Sequence, residues 1–368
     1  MVSDAGNPLR IALGPEIWAG QKFGGISRYF YEIALALTKE NVDILLIVPQ
    51  GYDGYFPLAE INTLSVKNFR DFRRVLKELG RGGYLYHATY YNSKNLRYAR
   101  EFGLKTVVTV FDYISEKFPE PKPRFRRTVN EKSASIELAN RVISISQNTR
   151  IDLLQHSNID PRNVSVISLA SSFSSHFDKL MTNHTRKNLI LYVGKREGYK
   201  NFQTLLKAFA HSPVLRNDMQ LIAFGGGNFS EQEFLDISSL GVSGLVVDVQ
   251  GTDENLRNLY LDAKIFVYPS LYEGFGLPLL EAMSLGCPVL ASNTSSMPEV
   301  CGAAALYFNP ENLIELSQLL ETTLSNQPLL ERLTSLGFSR SAEFSWEKTA
   351  SHTLNVYQEL QQEILFRP

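Results

Sequence analysis

Cysteine is nearly absent from this chain: Cys287 and Cys301 are the two in 368 residues. Both fall in one apolar C-terminal region, so a disulfide scaffold is excluded and a reducing compartment is the natural setting. The six histidines form no metal-ligand cluster with them, and no metal site is expected. Long apolar runs are missing too. A bilayer span needs about 18–20 such residues, whereas Ile44–Val48 and Leu245–Val249 have the length of buried strands. The polar start, Met1-Val-Ser-Asp-Ala-Gly-Asn-Pro8, lacks the basic-then-apolar plan of a signal peptide. A cytoplasmic chain is expected, unless something else carries it to a membrane. Charge of one sign is also not in excess: 37 Lys and Arg face 38 Asp and Glu, for a formal net charge of −1. No global field draws such a chain to nucleic acid or anionic lipid. Finally, no Gly-x-Gly-x-x-Gly follows the first apolar run, which argues against a nicotinamide dehydrogenase.

What is present is a repeating order of elements. Arg10–Leu13 reads as a strand, followed by a loop through Gly24-Gly25 and a helix over Ile26–Leu37 with Ile26, Phe30, Ile33, Ala34 and Leu37 on one face. Short apolar runs follow at Asp43–Val48, Leu85–His87, Thr106–Val110, Arg141–Ile145 and Val164–Ile167, separated by helical or loop segments. Strands alternating with helices imply a parallel sheet covered on both faces.

Around Leu189 the plan restarts. Leu189–Val193 is a strand, Gly194–Gly198 a loop and Asn201–Ala210 a helix, with further strands at Gln220–Phe224, Leu245–Val249, Ile265–Tyr268 and Pro288–Ala291. The polar stretch Ser171–Lys187 reads as the linker. The expected fold is α/β, with two Rossmann-like domains, 1–184 and 185–345, facing each other across a ligand-binding cleft. A last helix opens at Ser345-Trp-Glu-Lys, with Trp346, Ala350, Leu354 and Tyr357 on one face. Over 346–368 it is long enough to cross back to the first domain; a terminal helix packed on the second domain fits the pattern equally well.

The strongest chemical signal is Pro269-Ser-Leu-Tyr-Glu-Gly-Phe-Gly-Leu-Pro-Leu-Leu-Glu281. A strand ends at Tyr268, a loop holds Glu273-Gly274-Phe275-Gly276, and a helix begins near Pro278, where a proline has no N–H to waste. The backbone N–H groups of Gly276 and Leu277 are then available to an anion, and the glycines let a diphosphate come close. Glu273 lies beside whatever the phosphates carry, and Glu281, one turn into the helix, is placed for a ribose diol. A second signal is Tyr192-Val-Gly-Lys-Arg-Glu-Gly-Tyr-Lys-Asn201, where Arg196 and Lys200 stand at a strand-to-helix turn. Arginine grips a diphosphate bidentately and lysine adds a compact charge. A pair of solvated loop cations would be the better reading of this second segment by itself; beside the glutamate motif it is not. Phe224-Gly-Gly-Gly-Asn228 fits either a nucleotide-facing loop or an ordinary tight turn, and Cys287 reads as core.

Glu273–Glu281, the Gly194–Asn201 loop and Gly24-Gly25-Ile-Ser-Arg-Tyr29 together resemble the retaining glycosyltransferases of family four, over nearly the whole chain. The resemblance implies the GT-B fold, with an acceptor-binding first domain and a nucleotide-sugar-binding second domain. It implies that Glu273 binds donor-sugar hydroxyls and Glu281 the ribose, and that Arg196 and Lys200 neutralise the diphosphate with help from N–H groups near Gly276 and Leu277. Gly25 would lie close to the phosphates and the acceptor. No cofactor or divalent metal would be needed, and anomeric configuration would be retained. A hexose or deoxyhexose donor such as GDP-mannose, used in bacterial surface polysaccharide assembly, is what the family suggests.

One departure stands out. Many relatives carry His-Asp after the strand that here ends at Val110, but this chain reads Phe111-Asp112-Tyr113. Asp112 and His87, in Tyr86-His-Ala-Thr-Tyr-Tyr91, are the remaining candidates there, although a lone histidine is more often structural. Two basic stretches, Lys67–Arg81 and Lys117–Arg127 (the latter including Lys122, Arg124, Arg126 and Arg127), suit either a solvated face or peripheral contact with the inner face of the plasma membrane, where a lipid-linked glycan acceptor is built. No nucleic-acid partner is expected. The rival functions are another GT-B enzyme, such as a sugar phosphorylase or epimerase, and a non-catalytic nucleotide-sugar or glycan-binding module.

Overall fold

Valine, isoleucine and leucine runs bounded by turns become the strands of two parallel sheets. The computed structural model describes residues 9–22, 24–40, 42–120, 122–173 and 185–365. The first sheet contains β1 (Leu9–Leu13), β2 (Val42–Pro49), β3 (Thr63–Val66), β4 (Leu85–Ala88), β5 (Thr106–Val110), β6 (Arg141–Ser144) and β7 (Val164–Val166). Their order is β3-β2-β1-β4-β5-β6-β7, with every pairing parallel. All five residues of β5 are buried, as expected of a strand covered on both faces. The helices of this sheet are α1 (Glu16–Gly20), α2 (Gly25–Leu37), α3 (Phe69–Arg81), α4 (Ser93–Glu101), α5 (Ile114–Lys117), α6 (Pro123–Leu138) and α7 (Gln147–His156).

The second sheet repeats the plan. It contains β8 (Lys187–Val193), β9 (Gln220–Phe224), β10 (Val246–Val249), β11 (Ala263–Tyr268), β12 (Val289–Ser292) and β13 (Ala305–Phe308). The order β10-β9-β8-β11-β12-β13 is again the doubly wound one, so the chain reverses its direction of travel between β8 and β11, as it does between β1 and β4. The helices are α8 (Phe202–His211), α9 (Pro213–Asp218), α10 (Glu231–Ser239), α11 (Asp253–Asp262), α12 (Leu277–Ser284), α13 (Met297–Cys301), α14 (Leu313–Leu324) and α15 (Gln327–Ser341). Phe202, Leu205, Leu206 and Phe209 of α8 are fully buried against Ile190, Leu221, Ile265 and Val267 of the sheet. Each such side chain contributes about 1.5–3 kcal/mol on burial.

Contacts divide the chain into two units. One runs to Leu169 and takes in the chain from Ser345 onward; the other is Ala170–Phe344. The final helix α16 (Trp346–Leu365) therefore belongs with the first sheet. Ser345 caps it, its hydroxyl accepting from the N–H of Lys348 at 3.2 Å. Thr349 donates to the carbonyl of Ser168 at 2.8 Å, and Trp346, Ala350 and Tyr357 are buried. Most of the linker stretch Ser171–Lys187 and the side chain of Arg124 lie outside the described residues. Among the described residues no helix is long and apolar enough to cross a membrane.

The edge strands β3 and β13 are additions to the sequence reading. Thr63-Leu-Ser-Val66 is short, and its first three residues are not buried, so it carries none of the apolar density that marks its neighbours.

Candidate active site

The loops after β8 and β11 meet where the second sheet changes direction, and the backbone ties them together. The N–H of Leu271 donates to the carbonyl of Tyr199 at 2.7 Å. Asn201 sits in the left-handed region (φ 57°, ψ 32°), which asparagine tolerates better than most residues. Its amide nitrogen donates to the carbonyls of Pro269 at 2.9 Å and Pro310 at 2.8 Å. The junction brings Lys200 to Glu273: the ammonium lies 2.8 Å from the carboxylate and 3.2 Å from the Tyr268 hydroxyl. Glu273 is 6% exposed, so this is a pair sheltered from most solvent screening.

Three consecutive hydroxyl residues hold the Glu273 loop from behind. Thr294 donates to the carbonyl of Leu271 at 3.0 Å, and Ser296 donates to those of Glu273 and Phe275, each at 2.9 Å. The Ser295 hydroxyl accepts from the Glu273 N–H at 2.9 Å. Ser295 holds this position at φ 50°, a strained value for a residue with a Cβ.

Beyond Glu273 the chain turns into α12 through Gly276, at φ 101°. A Cβ there would lie 2.8 Å from the Leu279 Cδ1 atom, so both space and backbone favour glycine. Among the described residues the N–H groups of Phe275, Gly276 and Leu277 find no acceptor, and Pro278 has none to offer. They form a donor cluster at the positive end of the helix. Glu281 follows one turn later, its carboxylate accepting from the Tyr260 hydroxyl at 3.2 Å. That hydroxyl is also 3.3 Å from the carbonyl of Pro278, which steadies the first turn. Lys200, Glu273, Gly276, Leu277 and Glu281 are thus gathered in one unit.

Arg196 is placed differently from the sequence reading. It is 7% exposed. Its Nε donates to Glu233 at 2.5 Å, Nη1 to the carbonyl of Gly225 at 2.7 Å and Nη2 to that of Asn228 at 2.9 Å. Gly225, Gly226 and Gly227 all have positive φ, and a loop so folded presents carbonyls that need donors. The planar guanidinium supplies them, so its donors are spent on partners inside its own unit. Its neighbour Lys195 is the exposed cation of this loop. The available signal is the pair of adjacent cations in the loop after β8, of which Arg196 is buried and Lys195 exposed.

In the first unit, His87 is also an internal residue. It is 1% exposed, with Nδ1 2.6 Å from the Tyr357 hydroxyl and Nε2 2.9 Å from Thr109 Oγ1. Burial pushes its pKa down to about 3, so the ring is neutral. It does not face solvent, because α16 covers it through Tyr357. Asp112 follows β5: its side chain accepts from the N–H of Ile114 at 3.0 Å, and its carbonyl accepts from the buried Lys132 at 2.7 Å. Phe111 packs edge-on against Tyr29 at 5.4 Å. Gly25 is the first residue of α2.

Glu16, beside the β1–β4 reversal, escaped the sequence reading. Its carboxylate accepts from the Tyr86 hydroxyl, from the Asn95 amide at 2.7 Å and from the Thr89 N–H at 3.0 Å. Desolvation raises its pKa despite these donors. The two cysteines are buried free thiols, and burial pushes Cys287 up to about 11.

Two doubly wound sheets, each reversing direction at its centre, define the GT-B class of α/β proteins. Residues 177–339 match the family described as "Glycosyl transferases group 1", and residues 23–170 match "Glycosyltransferase Family 4". The O-antigen chain mannosyltransferase B of Escherichia coli is 32% identical over 269 residues, covering 69% of this chain and 70% of that protein. The serotype-specific mannosyltransferase WbdA of Escherichia coli is 29% identical over 65% of this chain, which spans only 31% of WbdA. Among solved structures, a glycosyltransferase from Rickettsia africae superposes with a TM-score of 0.74 at 15% identity, covering 96% of this chain and 98% of that one. The chain belongs to glycosyltransferase family 4, and it is a glycosyltransferase.

Proposed function

We propose that this enzyme moves a hexose or deoxyhexose from a nucleoside diphosphate sugar, with GDP-mannose as the leading donor, onto a glycan or lipid-linked glycan of a bacterial surface polysaccharide. The observation that carries the reading is the Lys200–Glu273 pair beside the unpartnered N–H groups of Phe275, Gly276 and Leu277. A cation and a helix start face the charge that grows on a departing diphosphate, and such preorganised donors are the largest single source of rate enhancement in many enzymes. Glu273 would bind sugar hydroxyls, and Glu281 the ribose. Lys195, exposed on the same loop as Lys200, takes the phosphate role that the sequence suggests for Arg196. Gly25 and Asp112 would serve the acceptor side.

Two relatives bear mannosyltransferase names tied to O-antigen and serotype, which supports the donor and the polysaccharide setting. In the transfer, the acceptor oxygen bonds to the anomeric carbon on the face the diphosphate leaves. The C–O bond to the diphosphate breaks, and the acceptor proton passes to the departing phosphate oxygen. Configuration is retained, and neither a metal nor another cofactor takes part. The setting is the cytoplasm, with peripheral contact at the inner membrane face through the stretches Lys67–Arg81 and Lys117–Arg127.

A thermal-shift panel of nucleotide sugars, with and without EDTA, tests the reading. A ligand present at 100 times its Kd stabilises the folded state by about 2.7 kcal/mol. A rise with GDP-mannose that EDTA leaves unchanged is expected, followed by release of GDP only when an acceptor is supplied. No shift with any nucleotide sugar would overturn it.

A further inference from the structure

Tyr268 closes β11 at the centre of the second sheet and is 1% exposed. It touches both halves of the phosphate-facing corner. Its hydroxyl accepts from the Lys200 ammonium at 3.2 Å, and its ring lies beneath Gly276, where a Cβ would meet the Tyr268 Cε1 atom at 3.5 Å. Lys200 has three N–H donors. One goes to Glu273, one to Tyr268, and among the described residues the third meets no acceptor. Burial first, and then the charge of Glu273 and a hydrogen bond to it, raise the Tyr268 pKa well above 10. The hydroxyl therefore stays protonated: it accepts from Lys200 and donates to Glu273.

We propose that Tyr268 is a positioning residue for the donor diphosphate, its hydroxyl holding the Lys200 ammonium so that the remaining N–H faces the start of α12. This rests on the assignment of that corner to the diphosphate. The need for a second anchor follows from the chemistry. A lysine stem is flexible, and a Glu273 carboxylate that turns to sugar hydroxyls loosens its hold on the ammonium. A phenylalanine at 268 would fill the same space beneath Gly276 but offer no acceptor. Tyr268 keeps Lys200 in place at the moment Glu273 is engaged elsewhere.

The test is equilibrium binding of GDP and GMP, with UDP and UMP in parallel, to four forms: the native chain, Tyr268→Phe, Lys200→Met and the double variant. Loss of one hydrogen bond to a charged group corresponds to roughly a 10-fold change or more. Tyr268→Phe is expected to weaken the nucleoside diphosphate by about that factor, while the monophosphate changes less than about twofold; the unligated chain loses some stability with the buried hydrogen bond but stays folded. In the Lys200→Met background, Tyr268→Phe is expected to change nothing further, since its route of action is gone. Equal weakening of mono- and diphosphate, or additive losses in the double variant, would overturn the proposal and leave Tyr268 as packing alone. Unchanged diphosphate affinity in Lys200→Met would overturn the assignment of the corner itself, and the positioning role with it.

Discussion

Lys200 and Glu273 lie 73 positions apart in sequence and 2.8 Å apart in space, with side chains 17% and 8% exposed. Neither loop alone would hold its charge this far out of water. Their coupling is expected to show in both stability and transfer. Lys200→Met and Glu273→Gln should each lower transfer by about 10²–10³-fold, the effect of removing one preorganised group at a developing charge. Each should also destabilise the fold, and the double variant less than the sum, by a coupling of roughly 0.5–3 kcal/mol. Urea unfolding of the four forms measures it, and strict additivity would deny that the pair is a unit.

Arg196 and Lys195 are adjacent cations with opposite fates. Arg196→Met strands Glu233 and the carbonyls of Gly225 and Asn228, and is expected to cost roughly 3 kcal/mol in unfolding free energy. Lys195→Met should stay within about 0.5 kcal/mol of the native chain, as exposed changes do, yet weaken nucleoside diphosphate binding. If instead Arg196→Met folds normally and loses only ligand affinity, the arginine faces the diphosphate after all.

Asn201 offers a way to separate loop geometry from loop chemistry. Asn201→Gly keeps the left-handed backbone but removes the amide that holds Pro269 and Pro310. Two lost hydrogen bonds predict a stability decrease of about 1–3 kcal/mol. Donor affinity should fall with it, because the loops carrying Lys200 and Glu273 are no longer tied by this side chain. Unaltered affinity would show that the Leu271–Tyr199 backbone bond suffices.

His87 sets a pH dependence whose sign is fixed by its depressed pKa. The unfolded chain takes up its proton near the ordinary value of 6.5, whereas the folded chain holds the ring neutral down to about 3. Between these values the unfolded state binds more protons, so this contribution is complete above pH 6.5 and is lost as pH falls. The slope approaches about 1.4 kcal/mol per pH unit. Chemical denaturation at about pH 7 and about pH 5 should show a smaller loss for His87→Gln, which cannot titrate, than for the native chain. Equal losses would mean that the ring is not buried neutral.

Much of the fold was legible because a parallel strand buried on both faces announces itself. Thr106–Val110 is an unbroken β-branched run and Leu189–Val193 an apolar one, and the second begins a repeat of the first plan. Thr63–Val66 was not legible, since an edge strand faces solvent and has no such run. The site divides in the same way. Gly276 and Pro278 declare a turn into a helix by residue type alone, and Glu273 and Glu281 follow from their places relative to it. The contacts of Tyr268 and of Thr294-Ser-Ser296 are another matter: nothing in that hydroxyl run says that it will brace a loop more than twenty positions upstream.

Composition and periodicity thus determined the class of sheet, the restart near Leu189 and the two glycine-containing loops after β8 and β11, because these depend on local pattern and on turn chemistry. The tertiary structure alone decided which of these side chains are spent on internal partners and which are left exposed. Arg196 turns inward because three left-handed glycines beside it leave carbonyls to satisfy, and His87 is sealed by a tyrosine 270 positions away. Both outcomes depend on partners distant in sequence, and a hydrogen bond between distant residues has no signature until the chain is folded.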